Sequence, residues 1–187
     1  MLGPNVEGPW GNQKVARLVA TRRIFLVGPM GSGKTTIGSH IARALGLPFV
    51  DSDEEIESRT GADIALIFEI EGEAGFRARE RRVIEELTQR EDLVLATGGG
   101  AILDETNRRC LSERGFVVYL KSGVETLLRR LRHDTTRPLL QNGDPAVTLR
   151  RIMAVRGPLY EATADVIIET GKQPVKQLVK KILSQIP

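Results

Sequence analysis

The stretch Gly28-Pro29-Met30-Gly31-Ser32-Gly33-Lys34-Thr35 decides the fold that we expect, and it follows the apolar run Ile-Phe-Leu-Val of residues 24–27. It fits the pattern G-x-x-x-x-G-K-[ST], in which a strand passes through a glycine-rich loop into a helix. Glycines let the backbone aim N–H groups at phosphate oxygens, and the positive end of the next helix faces the same place. The alternative is a glycine-rich turn that binds nothing, which the placement between a strand and a helix disfavours.

Composition narrows the class of protein. A chain of 187 residues with 41% hydrophobic and 27% charged residues is typical of one globular domain, and no apolar stretch approaches the ~20 residues of a membrane span. The net charge of +3 with only 4% aromatic residues favours a pocket for small anions over a nucleic-acid surface. One cysteine, Cys110, excludes an intramolecular disulfide, so we expect a reducing, cytoplasmic setting and no catalytic role for this residue.

Short apolar runs alternate with helical patterns along most of the chain. This alternation predicts an α/β fold, a three-layer αβα sandwich around a parallel sheet, in residues 23–187, preceded by a flexible leader at 1–22. The predicted strands are 24–27, 48–50, 93–96, 116–120 and 166–168, and the predicted helices are 34–45, 53–59, 63–70, 75–90, 105–114, 124–131, 147–155 and 175–186. Ligands of such sheets bind beyond the carboxyl ends of the strands, so the segments leaving the first three strands should share one pocket.

Two acids, Asp51 and Asp53, follow the second predicted strand. If the chain stays extended there, both side chains face one cleft, where one carboxylate can hold Mg²⁺ and the other can orient or deprotonate an attacking hydroxyl. The alternative is helix capping, since Asp51 or Ser52 could cap the helix that follows.

A triple glycine, Gly98-Gly99-Gly100, follows the third predicted strand. Ordering each glycine costs roughly 1 kcal/mol more than ordering alanine in regular structure, so the triplet indicates close approach of the backbone to a ligand. A mobile turn is the alternative. Three arginines, Arg77, Arg137 and Arg156, are further candidates, although spacing alone does not single them out because most arginines are solvated.

These segments together resemble the shikimate kinase family. The resemblance rests on the phosphate loop, on Asp-Ser-Asp at 51–53, on Gly-Glu-Ala-Gly-Phe-Arg at 72–77, on Thr-Gly-Gly-Gly-Ala at 97–101, on Arg-Pro-Leu-Leu at 137–140 and on Arg-Gly-Pro-Leu-Tyr at 156–160. It covers residues 23–185 in order. It implies transfer of the γ-phosphate of ATP to the 3-hydroxyl of shikimate, in aromatic amino-acid biosynthesis, with Mg²⁺ as cofactor. It also implies a five-stranded sheet in the order 2-3-1-4-5, as in nucleoside monophosphate kinases.

The resemblance further implies a role for each matching residue. Lys34, Asp53 and Arg137 would be catalytic, with Asp53 the candidate base and Arg137 in a lid at about residues 133–145, while Thr35 and Asp51 would hold the metal. ATP would contact Gly31, Ser32, Gly33, Lys34, Thr35, Thr36, Arg130 and Arg137. Shikimate would contact Asp53, Arg77, Gly98, Gly99, Gly100 and Arg156. Arg129 and Arg132 lie close to Arg130, so the adenine contact is the least specific of these assignments.

Two rival interpretations remain. One is another small-molecule kinase of the same fold, such as a gluconate or nucleotide kinase, against which Arg77, Arg156 and the triple glycine speak. The other is a nucleotide-binding regulator without turnover, against which the intact Lys34 and Asp53 speak. We expect a monomer whose partners are ATP and shikimate, with no nucleic acid and no membrane.

Overall fold

Five parallel strands form one sheet in the order β2-β3-β1-β4-β5 in the computed structural model, which describes residues 22–132, 144–171 and 173–187. The strands are β1 Arg23–Val27, β2 Phe49–Asp51, β3 Leu93–Ala96, β4 Phe116–Lys121 and β5 Val166–Glu169. The helices are α1 Lys34–Leu45, α2 Ser52–Thr60, α3 Ile64–Leu87, α4 Glu105–Arg114, α5 Val124–Leu131, α6 Pro145–Thr163 and α7 Val175–Leu183, with a 3₁₀ helix at Ala101–Leu103. The α/β class and the predicted strand order are both confirmed.

The central strand β1 is buried on both faces, as expected for a strand inside a parallel sheet. Because side chains alternate along a strand, Phe25 and Val27 pack on one side of the sheet, in the cluster beneath α2, α3, α4 and α6. Ile24 and Leu26 pack on the other side, against residues of α1 and α7. These two apolar layers hold helices on both faces and make the three-layer sandwich.

Helix α6 is longer than predicted. The sequence pattern ended it at residue 155, before Gly157 and Pro158, but the helix continues through Pro158 to Thr163. A proline inside a helix removes one hydrogen bond, so something must offset that cost. Tyr160 does so in part, because its ring is buried and stacks on Tyr119 of β4 at a centroid distance of 5.0 Å.

Helix α3 joins two helices that the sequence separated. The predicted helices at 63–70 and 75–90 form one span, interrupted where Gly72 takes φ 70° and ψ −178°. A left-handed φ of this kind is open to glycine at little cost, so the chain kinks at this non-helical residue, and the two predicted helical segments lie on either side of it. Cys110, which we expected to be a surface or semi-buried residue, is buried in α4, with 3% of its area exposed.

Two predicted segments lie largely outside the described residues. The leader at 1–22 is described only at Arg22, whose backbone N–H donates to Asp92 Oδ1. The lid at 133–145 is described only at Asp144, which caps α6, and at Pro145, its first residue. Within the described ranges, none of the helices has the length and hydropathy needed to cross a membrane.

Helix α1 packs closely on the sheet through Gly38. A Cβ atom at Gly38 would lie 2.6 Å from Cε2 of Phe49 and 2.7 Å from Cδ1 of Leu26. We expect Gly38→Ala to lower the free energy of unfolding by about 1–2 kcal/mol, because overpacking outweighs the better helix propensity of alanine. Urea denaturation at constant m-value measures this change.

The matched control is Gly171→Ala, since, apart from its chain neighbours, none of the described residues has an atom within 4 Å of the Cβ position at Gly171. That variant should keep its stability or gain up to about 1 kcal/mol through a less flexible unfolded chain. Equal effects of the two substitutions would contradict close packing of α1 at Gly38.

Candidate active site

The loop at 28–35 joins β1 to α1 and opens a helix N-terminus toward the carboxyl edge of the sheet. Gly33 precedes the helix at φ 95°, a left-handed conformation that favours glycine. Lys34 is buried, and its Nζ donates to the carbonyl oxygens of Gly28 at 2.8 Å and of Pro29 at 2.9 Å. A phosphate oxygen is a stronger acceptor for an ammonium group than these neutral carbonyls, so the lysine is held where an anion can recruit it.

Asp51 connects the loop to the second strand. Its Oδ2 accepts a hydrogen bond from Thr35 Oγ1 at 2.7 Å, and its Oδ1 accepts from the backbone N–H of Asp53 at 3.0 Å. The extended conformation assumed for residues 51–53 is wrong, because α2 begins at Ser52 and places Asp53 in its first turn. The capping interpretation is correct for Asp51, yet capping uses one carboxylate oxygen and leaves the other beside Thr35.

The triple glycine forms a turn that three side chains hold. The N–H of Gly98 donates to Ser52 Oγ at 2.9 Å, and the carbonyl of Gly99 accepts from Arg156 Nη1 at 3.0 Å and from the hydroxyl of Tyr160. These contacts favour an ordered turn over the mobile one. We refer to residues 98–100 below as the glycine turn.

The glycine turn brings together side chains that the family resemblance assigns to the binding of shikimate. A Cβ atom at Gly98 would lie 2.6 Å from Asp53 Oδ1, and one at Gly100 would lie 2.4 Å from Arg77 Nη1. A side chain at either position would therefore force Asp53 or Arg77 to move. The approach of a ligand to the turn, which the sequence indicated, stays a prediction. A Cβ atom at Gly99 would lie 3.2 Å from the backbone N of Met30, so the turn also lies directly against the phosphate loop.

Glu80 is a member of this site that the sequence analysis missed. Its side chain is 1% exposed, and its Oε2 accepts from Arg77 Nη1 at 2.6 Å. Its Oε1 has no hydrogen-bond partner among the residues that the structure describes. The available signal was its position: Glu80 interrupts the buried stripe of α3 formed by Phe76, Val83 and Ile84.

Burial controls the ionisation of this cluster. Burial raises the pKa of Glu80 to about 7, Arg77 opposes that shift, and the nearby carboxylate of Asp53 adds to it. For Arg77 burial acts to lower the pKa, but Glu80 and Glu73 outweigh it and leave the pKa above its ordinary value. Arg156, which is buried, is a second cation beside the glycine turn, whereas Arg77 is only partly buried. The site therefore presents two guanidinium groups and two acids around one turn.

Arg130 lies on the other side of the phosphate loop. Its Nη1 donates to the carbonyls of Gly31 at 3.0 Å and Ser32 at 3.2 Å, and its Nη2 donates to that of Gly171 at 3.3 Å. Burial, and then the charge of Arg129, lower the pKa of Arg130. Thr36, the last residue of the loop segment predicted to contact ATP, is exposed in the first turn of α1.

A cavity of about 420 Å³ adjoins Arg130 at the carboxyl ends of β4 and β5. Its lining includes Ser122, Thr170 and Gly171, whose hydroxyls and backbone the sequence analysis did not single out. No sequence pattern marks these residues as a pocket, because two strand ends far apart in the chain form it. Arg137, the predicted lid arginine, lies outside the described residues.

A parallel sheet of this order, with a phosphate loop and a separate polar cluster at one edge, defines a P-loop kinase. A profile of the shikimate kinase family matches residues 30–187. The chain belongs to the shikimate kinase family.

Individual relatives agree with this assignment. The shikimate kinase of Nitrosococcus oceani is 59% identical over 163 residues, covering 87% of this chain and 86% of that protein. A solved structure of shikimate kinase from Acinetobacter baumannii in complex with shikimate is 51% identical, with a TM-score of 0.87 over 92% of this chain and 96% of that one. A gluconokinase from Sinorhizobium meliloti shares the fold. It is 21% identical, with a TM-score of 0.53 over 88% of this chain and 90% of that one.

Glu80 should make the stability of the protein depend on pH. Because its pKa is raised in the folded state, the protonated carboxyl contributes stability that is complete below pH 4.5 and is lost as the pH rises through about 7. Glu80→Gln removes this titration. The free energy of unfolding of wild type minus that of Glu80→Gln should therefore fall by on the order of 3 kcal/mol between pH 5 and pH 8.

Denaturant unfolding of both proteins at several pH values measures this difference. Two parallel stability curves would show that Glu80 does not titrate in this range.

Proposed function

We propose that this protein transfers the γ-phosphate of ATP to the 3-hydroxyl of shikimate, the reaction of its family. The observation that carries the proposal is the close approach of the glycine turn to the phosphate loop, where a Cβ atom at Gly99 would lie 3.2 Å from the backbone N of Met30. It sets an acceptor cluster immediately beside a phosphate-binding helix N-terminus. Shikimate bound in the related Acinetobacter baumannii structure supports the choice of acceptor.

The donor half would bind ATP. Backbone N–H groups of the loop and Lys34 would receive the β- and γ-phosphates, while Arg130 and the cavity at Thr170 would receive the adenosine part. Ser32 supports a bound anion, because its Oγ is buried without a hydrogen-bond partner among the described residues. The predicted contribution of Arg137 stays a prediction.

Thr35 and Asp51 fit a Mg²⁺ ion. They contribute a hydroxyl and a carboxylate that already lie 2.7 Å apart, and hard oxygen donors of this kind, completed by substrate phosphates, are what Mg²⁺ prefers. The ion would neutralise negative charge on the phosphates when it is bound with ATP.

The acceptor half would bind shikimate through charge and hydroxyl recognition. Shikimate is a small carboxylate with three hydroxyls, and planar guanidinium groups bind carboxylates through two parallel hydrogen bonds. Arg77 and Arg156 supply such groups on either side of the glycine turn. Asp53 would accept hydrogen bonds from the ring hydroxyls.

Catalysis would consist mainly of positioning and charge stabilisation. In a loose phosphoryl-transfer transition state the hydroxyl proton leaves late, so Asp53 would orient the hydroxyl and take its proton as the new P–O bond forms. Lys34 would stabilise the charge that spreads over the transferred group. Closure of the predicted lid would keep water from the phosphate.

Three broader expectations accompany the proposal. We infer one catalytic domain at 23–187 with a separate leader at 1–22, a monomeric state and a cytoplasmic location. Cys110 supports the last of these, because a single buried cysteine cannot form an intramolecular disulfide.

A coupled assay that offers ATP and Mg²⁺ with shikimate, gluconate or a nucleoside monophosphate tests the proposed function. We expect ADP formation with shikimate and rates near background with the other acceptors. Turnover confined to gluconate or nucleotides would instead support a different kinase of this fold. Nucleotide binding without phosphate transfer at saturating shikimate would support a non-catalytic regulator.

Two alanine variants separate the assigned roles. Arg156→Ala should raise the KM for shikimate about 10- to 100-fold, since it removes a charge-assisted contact to the substrate. Lys34→Ala should lower kcat about 100- to 1000-fold, since the loss falls on the transition state. Steady-state kinetics with each substrate varied in turn measures both effects.

Arg151→Ala is the matched control, because Arg151 is an exposed arginine of the same helix as Arg156. It should leave both constants within about twofold of wild type. The reverse pattern in the two test variants would contradict the assignment of Lys34 to the donor half and Arg156 to the acceptor half.

A further inference from the structure

Two side chains of α6 share one backbone acceptor in the glycine turn. The carbonyl oxygen of Gly99 accepts from Arg156 Nη1 at 3.0 Å and from Tyr160 Oη at 2.5 Å. Residues four apart in a helix lie on the same face, so both donors approach the turn from one side. The proposed function uses Arg156, and it leaves Tyr160 without a role.

Tyr160 is held rigidly. Its side chain is 1% exposed, and its ring stacks on Tyr119, which belongs to the central part of the sheet. Burial raises the pKa of Tyr160, so its hydroxyl stays protonated and remains a donor at neutral pH. The carbonyl of Gly99 is thus tied to the sheet through two stacked rings.

Tying this carbonyl fixes more than one atom. The peptide bond between Gly99 and Gly100 is planar and trans, so its carbonyl and its N–H point in opposite directions. With the carbonyl directed at α6, the N–H of Gly100 points away from α6. A rotation of this peptide would displace that N–H and would also remove the acceptor that holds the Arg156 guanidinium.

We infer that Tyr160 is a positioning residue of the acceptor site. Its hydroxyl holds the Gly99–Gly100 peptide in one orientation. This orientation fixes the direction of the Gly100 N–H and the position of the Arg156 guanidinium, both of which the acceptor molecule would meet. The inference rests on the proposed function in one respect: the acceptor bound at this turn is taken to be shikimate.

The glycine turn has a second attachment that acts independently of α6. Ser52, buried at the start of α2, accepts from the N–H of Gly98 at 2.9 Å. The turn is therefore held at Gly98 from one side and at Gly99 from the other. Loss of either attachment should disturb the same peptide groups.

The test is Tyr160→Phe, which keeps the stacked ring and removes only the hydroxyl. We expect the KM for shikimate to rise about three- to tenfold, with kcat and the KM for ATP within about twofold of wild type. Ser52→Ala should give the same split between the two substrates. Tyr119→Phe, which removes a hydroxyl from the other ring of the stack, should leave all three constants near wild type.

A structural readout does not depend on any substrate. In amide NMR spectra of the free protein, Tyr160→Phe should shift the Gly99 and Gly100 resonances more than Tyr119→Phe does. Unchanged Gly100 resonances, an unchanged KM for shikimate or an equal rise for both substrates would overturn the inference. Failure of the wild-type protein to phosphorylate shikimate would contradict the proposed function, and the NMR comparison would still decide the role of Tyr160.

Discussion

Parallel pairing around β3 is the constraint on which the site depends. Ala96, the last residue of β3, pairs with Leu26 of β1 on one side and with Asp51 of β2 on the other. The three strands therefore end within one residue of the same level, and the chain segments that leave them have to share one edge of the sheet. The phosphate loop, the start of α2 and the glycine turn meet there because of this register, and every contact between donor and acceptor halves follows from it.

The acceptor half is a compact arrangement of buried charges. Burying a single ion is costly, and pairing Arg77 with Glu80 lowers that cost for both. Burial nevertheless raises the pKa of Glu80 to about 7, because Arg77 opposes that shift only in part and the nearby carboxylate of Asp53 adds to it. The pair holds the Arg77 guanidinium against the glycine turn, so the carboxylate of the proposed acceptor would meet a cation that is already oriented. Orientation before binding reduces the entropy lost when the substrate is bound.

Local patterns predicted most of the fold, and the exceptions have physical causes. The bounds of α1, α4 and α5 were predicted to the residue, because apolar spacing and stop signals coincide there. The end of α6 was predicted too early, since the cost of Pro158 is visible in the sequence whereas the burial of Tyr160 against Tyr119 is not. Asp51 and Asp53 were assigned to an extended segment because β2 passes directly into α2. Without a loop between them, no turn residues in the sequence mark where the strand ends and the helix begins.

The sequence by itself determined the chemistry of the donor half and the family, because a phosphate loop is a continuous segment whose residue types and spacing carry its function. Only the tertiary structure decided how the rest of the site is built: the burial of Glu80 beside Arg77, the division of the Asp51 carboxylate between a cap and Thr35, and the sharing of the Gly99 carbonyl by Arg156 and Tyr160. The physical reason is range. Contacts within a loop or a helical turn follow from neighbours in the chain, whereas contacts between segments many residues apart exist only after the sheet has set its register.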